Sequence, residues 1–346
     1  MIYLKMGLAI LCLLLVVDLF LLIHRWFPQF PSWALWGLLL LFVLPCITFN
    51  TIFPIFYLHL LFCLLITQLI CLIFHQDVKG WIFFIPFLLA ITICIYGIFN
   101  MKNIEKTTYD LQTSKDIPDT KIVMISDLHY PNVMTEEELS SIVKDLQKEK
   151  PSFYILNGDI VDEFTTVDQI KTVFQTLGKL TKTADVYYVF GNHDNQHYAN
   201  DPVFSKETLK EVIESNGITV LQDDILHFGN ITLIGREDLE ENRRSLHSLM
   251  KTCDLDSYIV VFDHQPSDLK LCKELGVDLQ LSGHTHSGQI FPVGSLANSL
   301  GIFEHGYGMI KKGNFTQITT SGIHGWGFPT RTEGISEYVS ISITSN

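Results

Sequence analysis

Five short clusters in this 346-residue chain combine aspartate, asparagine and histidine. They are Ser126-Asp127-Leu128-His129, Asn157-Gly158-Asp159-Ile160-Val161-Asp162, Gly191-Asn192-His193-Asp194, Asp263-His264 and Gly283-His284-Thr285-His286. Carboxylate, imidazole and amide oxygen are the ligands that hard and borderline divalent cations prefer. Thiolate does not compete for that role. Of the seven cysteines, five (Cys12, Cys46, Cys63, Cys71 and Cys94) lie in apolar runs, and Cys253 and Cys272 belong to no paired motif. A disulfide framework and a thiolate metal site are both disfavoured. The donor set suits Mn, Mg, Fe or Zn.

A lone His-x-His or Gly-Asp is ordinary loop chemistry. These clusters differ because each follows a short apolar, strand-like run. The runs are 121–125, 153–156, 186–190, 258–262 and 278–281. Between them lie helix signals. Thr135 with Glu138 makes a capping box, a second helix is expected over 166–180, and a third starts at Ser205. The segments 226–228 and 231–234, joined by Gly229-Asn230, read as a β-hairpin. Strand–loop–helix repetition predicts an α/β domain over 119–346 with a parallel sheet and a second sheet. Ligand sites in such folds collect beyond the carboxyl ends of strands, where these clusters fall.

The order Asp-x-His, Gly-Asp-x-x-Asp, Gly-Asn-His-Asp, His and Gly-His-x-His resembles the calcineurin-like metallophosphoesterase superfamily. The Ser-Gly-His-Thr-His-x-Gly-Gln-Ile stretch resembles its bacterial membrane-associated branch, with Ser287 where a glycine is common. The resemblance covers essentially all of 119–346 and implies a two-sheet sandwich. It also implies that Asp127, His129 and His286 hold one metal, that Asn192, His264 and His284 hold a second, and that Asp159 bridges them. His193 would stabilise the transition state or protonate the leaving group, with Asp194 orienting its ring. Asp162 would hold a histidine ligand or a loop, and Arg331 would touch substrate or brace the site. Tyr130, His197, His305 and His324 are expected to be loop or core residues. The reaction implied is hydrolysis of a phosphate ester or pyrophosphate by a bridging hydroxide. Two cations about 3.5–4 Å apart need a shared anionic oxygen. The expected cofactor is a pair of divalent ions, with Mn2+ foremost and Zn2+, Fe or Mg2+ as alternatives.

The first hundred residues are a different material. They carry five charged side chains, Lys5, Asp18, Arg25, Asp77 and Lys79, whereas 101–346 holds 21 basic and 35 acidic ones. Mean hydropathy over the chain is +0.26. Four apolar segments, 6–23, 34–53, 56–74 and 81–99, approach the ~20 residues that span a bilayer as helix. The expected organisation is a four-helix transmembrane region over 1–100, a juxtamembrane linker over 101–118, and the metallophosphoesterase domain over 119–346. Asp18 is expected to pair with His59, to mark a headgroup or ion site, or to lie shallow enough to reach interfacial water. Lys5, Lys102 and Lys106 flank one side against Arg25 and Lys79 on the other, which favours a cytoplasmic catalytic domain in a bacterial cell or inner membrane.

The acidic balance disfavours nucleic acid as a partner. The membrane tether favours a lipid or lipid-linked phosphate. The alternatives are a UDP-2,3-diacylglucosamine pyrophosphohydrolase-like enzyme, a broad-specificity phosphodiesterase and a non-catalytic ligand-binding scaffold. The transmembrane region offers a surface for oligomerisation.

Overall fold

The computed structural model describes residues 2–48, 50–131, 134–199 and 201–345, with the side chains of 2–5 left aside. The chain divides into two compact units. One comprises Met1–Met101 with Gly327–Thr332, and the other comprises Lys102–Trp326 with Glu333–Asn346.

The first unit is helical: α1 (Ile2–Trp26), α2 (Ser32–Val43), α3 (Phe53–Ile73) and α4 (Ile85–Lys102). Among the described residues, three helices are long and apolar enough to cross a membrane: Met6–Trp26, Phe53–Ile73 and Gly80–Lys102, the last including a 3-10 turn. The second expected span is not one of them. Its α-helix is 12 residues long and gives way to a 3-10 turn, Leu44–Ile47. The cause is Pro45, which has no N–H to donate and whose ring clashes with the preceding turn. The 12 α-helical residues and the four-residue 3-10 turn of Ser32–Ile47 together reach roughly 26 Å, against about 30 Å of hydrocarbon. Phe49, inside that expected span, lies outside the described residues.

Leu15, Leu19, Leu39, Leu60, Leu64 and Ala90 pack at the centre of this unit, while Leu13, Leu21, Leu41, Leu72 and Phe99 remain exposed. Outward-facing leucine is what a helix bundle in lipid presents. Asp18 does not pair with His59. The Gln68 amide donates to both Asp18 oxygens, at 2.8 and 2.9 Å. His59 Nδ1 instead lies 2.8 Å from Ile55 O, one turn earlier on its own helix. The segment Gly327–Thr332 packs within this helical unit. Arg331 N donates to Gly97 O, and Asn100 Nδ2 donates to Arg331 O, both at 3.0 Å.

The second unit alternates strands and helices: β1 (Ile104–Thr113), β2 (Thr120–Ile125), α5 (Glu136–Glu149), β3 (Phe153–Asn157), α6 (Val167–Leu177), β4 (Asp185–Val189), α7 (Lys206–Ser215), β5 (Thr219–Val220), β6 (Asp224–Phe228), β7 (Ile231–Gly235), α8 (Leu246–Met250), β8 (Tyr258–Phe262), α9 (Leu269–Leu275), β9 (Leu279–Ser282), α10 (Val293–Ser299), β10 (Gly308–Lys312), β11 (Phe315–Thr319) and β12 (Ser336–Ser345). They form two six-stranded sheets, ordered β1-β12-β2-β3-β4-β5 and β10-β11-β9-β8-β7-β6. The expected capping box is present: Thr135 Oγ1 accepts from Glu138 N, and Glu138 reaches back to Thr135 N. Thr166 and Gln169 make a second one on α6. The expected hairpin is β6–β7, paired antiparallel.

Alternation along the strands builds the layers. Val123, Ile125, Tyr154, Leu156 and Tyr188 face α5, α6 and α7. The intervening Ile122, Met124, Phe153, Ile155 and Tyr187 face Leu233, Val260, Phe262 and Leu281 of the other sheet. Ile234, Ile259 and Val261 then face α8 and α9. Each such buried side chain stabilises the fold by about 1.5–3 kcal/mol.

The expected linker differs from what is seen. Residues 104–113 form β1, an edge strand lying parallel to β12 through ten consecutive partners. Its Glu-Lys-Thr-Thr-Tyr-Asp composition hides the strand period, because only Leu111 of its ten residues is buried.

Candidate active site

The five clusters converge at the carboxyl ends of β2, β3, β4, β8 and β9. The loops after β2 and β3 run side by side. Asp127 N donates to Gly158 O, Leu128 N and His129 N donate to Asp159 O, and Tyr130 N donates to Ile160 O. These bonds place Asp127, His129 and Asp159 on one wall. On the other wall, Gly283 N donates to His264 O, and His284 N donates to both Asp127 oxygens at 3.0 and 3.2 Å.

Five of these residues, Asp127, His129, Asp159, His284 and His286, have positive φ, between 47° and 71°. An L-residue pays about 1–2 kcal/mol in that region. Such strain persists where surrounding structure over-determines it, and it concentrates at functional sites. Ser287 shares the feature with φ 51°, which explains why glycine suits that turn. Two other glycines are required by space. A Cβ on Gly191 would collide with Asp159 Oδ1, and one on Gly158, at φ 80°, would collide with His264 Nδ1.

Two ligand groups result. The first is Asp127, His129 and His286, and the second is Asp159, His264 and His284; within each, the ligand atoms lie within 4.8 Å of one another. Asn192 joins the second group, with its Oδ1 2.9 Å from His284 Nδ1. Its Nδ2 donates to Tyr198 OH, which fixes the amide orientation. Asp159 Oδ2 stands between the groups, 3.0 Å from His264 Nε2 and 3.8 Å from His129 Nε2.

The site fits divalent cations on its own chemistry. Asp159 Oδ2 and His264 Nε2 are buried 3.0 Å apart in poor hydrogen-bond geometry, and no other donor meets that oxygen. Leaving a charged oxygen so would cost several kcal/mol unless a cation meets it. His264 Nδ1 lies 2.8 Å from Asn157 O, and His286 Nδ1 lies 3.2 Å from His324 O. Those carbonyls hold a proton on Nδ1 and leave each Nε2 lone pair for a metal. His286 Nε2 is 3.3 Å from His129 Nε2, a convergence of lone pairs that a shared cation relieves. Burial, reinforced by neighbouring His264, lowers His284 to about 3, so its imidazole is the neutral, ligating form.

His193 sits beside both groups. Its backbone N–H donates to Asp159 Oδ1 at 2.9 Å. Its ring lies against His129, Tyr198 and Trp326, with centroids 5.0, 5.0 and 4.8 Å away. The partner of the ring is not Asp194. His193 Nδ1 lies 2.9 and 3.0 Å from the two oxygens of Glu163, a residue the sequence reading missed. Asp194, three residues into the turn that starts at Gly191, folds back inside it. There it accepts four backbone N–H groups, from Asp159, Gly191, Ile160 and Val161, at 2.7–3.1 Å. Burial opposes charging of His193, but the Asp159 carboxylate and the Glu163 hydrogen bond raise it to about 9.

Asp162 Oδ1 accepts from Phe164 N, and its Oδ2 lies 3.8 Å from His129 Nδ1. Burial raises it to about 7. Arg331 is buried and is not a member of either ligand group. Asp263 is an internal ion-pair partner of Arg243, at 3.0 Å. Tyr130 and His324 are buried loop residues, and His197 and His305 lie outside the ligand groups.

The calcineurin-like phosphoesterase profile matches residues 120–288. An uncharacterized metallophosphoesterase of Helicobacter pylori is 30% identical over 61% of this chain and 56% of its own length. The uncharacterized metallophosphoesterase YkoQ of Bacillus subtilis is 30% identical over 55% of this chain and 71% of its own. A transmembrane protein with metallophosphoesterase domain from Danio rerio is 25% identical over 73% and 61%. The match thus spans a little over half the length of the Helicobacter relative.

Proposed function

Because this chain belongs to the calcineurin-like phosphoesterase family, we propose that it is a binuclear metal-dependent hydrolase of phosphate esters or pyrophosphates carried on membrane lipids. The observation behind the reading is Asp159, whose Oδ2 lies 3.0 Å from His264 Nε2 in one ligand group and 3.8 Å from His129 Nε2 in the other, in a chain that also holds long apolar helices. Asp127, His129 and His286 would hold one cation, and Asn192, His264 and His284 the other, with Asp159 common to both. When bound, such a pair supplies Lewis-acid polarisation of phosphoryl oxygen and a more acidic water.

The chain's own residues do the rest. The carbonyls of Asn157 and His324 fix the histidine tautomers. Glu163 engages His193 Nδ1, which leaves Nε2 as the nitrogen available to a substrate oxygen. A proton held there can pass to the leaving group as the ester bond breaks. Trp326 and Tyr198 flank the ring and limit its rotation. Mn2+ is the first cation to try, with Zn2+, Fe and Mg2+ as alternatives. Lys102 and Lys106 follow the last span and support a catalytic unit on the cytoplasmic face.

The test compares turnover of bis-p-nitrophenyl phosphate with a panel of lipid phosphates and nucleotide-linked lipids, using full-length protein in detergent with added Mn2+. Preferred turnover of one lipid class supports the reading. Equal rates on soluble and lipid substrates would replace the lipid assignment with a broad phosphodiesterase.

A further inference from the structure

Helix α10 buries only its smallest residues, Gly294 and Ala297, and exposes Val293, Leu296 and the following Leu300 beside Ser295, Asn298 and Ser299. Phe291 and Ile302 extend the same surface, and the five side chains are 38–74% exposed. No charged residue occurs anywhere between Asp278 and Glu304, within a unit where acids and bases are otherwise frequent. A helix on an aqueous surface shows polar residues outward. An exposed contiguous apolar patch marks an interaction surface.

This patch is fixed to the ligand groups. The turn after His286 packs backbone to backbone on α10, since a Cβ on Gly288 would collide with Gly294. The Phe303 ring lies edge-on to His284, 6.4 Å between centroids. Glu333 accepts from Gly294 N and Ser295 N at 2.9 and 2.8 Å, and its own N–H donates to Gln289 O at 3.0 Å. Glu333 is bonded to Thr332, the last residue of the segment that packs with the apolar spans.

We propose that Phe291, Val293, Leu296, Leu300 and Ile302 form a lip that seats in the acyl-chain and headgroup boundary of the bilayer. The lip would hold the His284–His286 loop at the membrane surface, so that a lipid phosphate reaches the site without leaving the leaflet. The proposal rests on the lipid-phosphate reading above and extends it by naming the entry side. The occupant is the bilayer because a bilayer is already part of the chain's surroundings and the patch carries no charge for a polar partner to match.

The test uses full-length protein in nanodiscs with ordinary or chain-brominated phospholipids. Leu300→Trp is compared with Leu255→Trp, an exposed position in the loop before β8, and Ile302→Trp serves if Leu300→Trp fails to fold. The added emission of the lip tryptophan should fall at least about twofold with brominated chains, as for side chains buried some 5–10 Å into the interface, while that of Leu255→Trp stays unchanged. Unquenched emission from the lip overturns the proposal, whether red-shifted by water or blue-shifted by another protein copy. Mn2+-dependent hydrolysis of bis-p-nitrophenyl phosphate is read on the same samples. Quenching without hydrolysis in any sample sinks the hydrolase reading alone, and hydrolysis without quenching sinks the lip alone.

Discussion

The Glu163 carboxylate brackets His193 Nδ1, with its two oxygens 3.0 and 2.9 Å away. Both side chains are nearly buried, so the pair fixes ring orientation and tautomer together. Glu163→Gln should therefore lower kcat by about 10-fold, the scale of a lost orienting partner. His193→Gln should cost about 10²–10⁴. The two changes act on one proton, so the double variant should be no slower than His193→Gln alone. The loss should be greater for an alkyl leaving group than for p-nitrophenol, which needs little protonation. Equal losses on both leaving groups would make the pair structural.

Asp194 is predicted to matter for stability more than for chemistry. Its carboxylate closes four buried N–H groups, and each donor left open costs about 1–3 kcal/mol. Asp194→Ala should lower the denaturation midpoint far more than His193→Gln does. Comparable midpoints for the two variants would contradict this assignment.

Two glycine substitutions separate space from backbone conformation. Gly191→Ala forces a methyl group onto Asp159 Oδ1 and should abolish metal retention and turnover. Gly313, with φ 73° and nothing near it, lies in the β10–β11 hairpin. Gly313→Ala should cost only about 1–2 kcal/mol and leave turnover intact. Metal content and kcat of both proteins decide the matter.

Glu149 supplies a pH dependence outside the metal centre. Partial burial works against its ionisation, but hydrogen bonds from Lys106, Lys121 and Tyr338 lower it from 4.5 to about 2. A carboxyl depressed on folding stabilises above its unfolded value and loses that contribution as pH falls. The stability difference between wild type and Glu149→Gln should be full above about pH 4.5 and vanish towards pH 2. A difference that persists unchanged at pH 2 would show that the hydrogen bonds, not the charge, are what matters.

The candidate ligands were legible because each sits within four residues of a recognisable strand end, where short motifs carry the chemistry. The Thr135 capping box and the β6–β7 hairpin were legible for the same local reason. Four features were not. β1 is an edge strand whose polar composition resembles a linker, and it becomes a strand only by pairing with β12, more than 200 residues away. The second apolar run forms a shorter helix than the other three, because it tightens into a 3-10 turn at Pro45. Glu163 and Asp194 are both acids near His193, and only the fold of the Gly191 turn decides which one meets the ring. The exposed apolar residues of α10 were also hidden, because apolar periodicity alone does not say which face is buried.

The most direct test of the account is a metal titration of the full-length protein after chelation. The apo protein should be inactive on bis-p-nitrophenyl phosphate and less resistant to denaturation. Mn2+ should restore turnover as two ions bind per chain, one for each ligand group, and Asp159→Asn should bind weakly and stay inactive. Full turnover by the chelated protein, or by Asp159→Asn, would contradict the claim that Asp159 joins two metal sites into one hydrolytic centre.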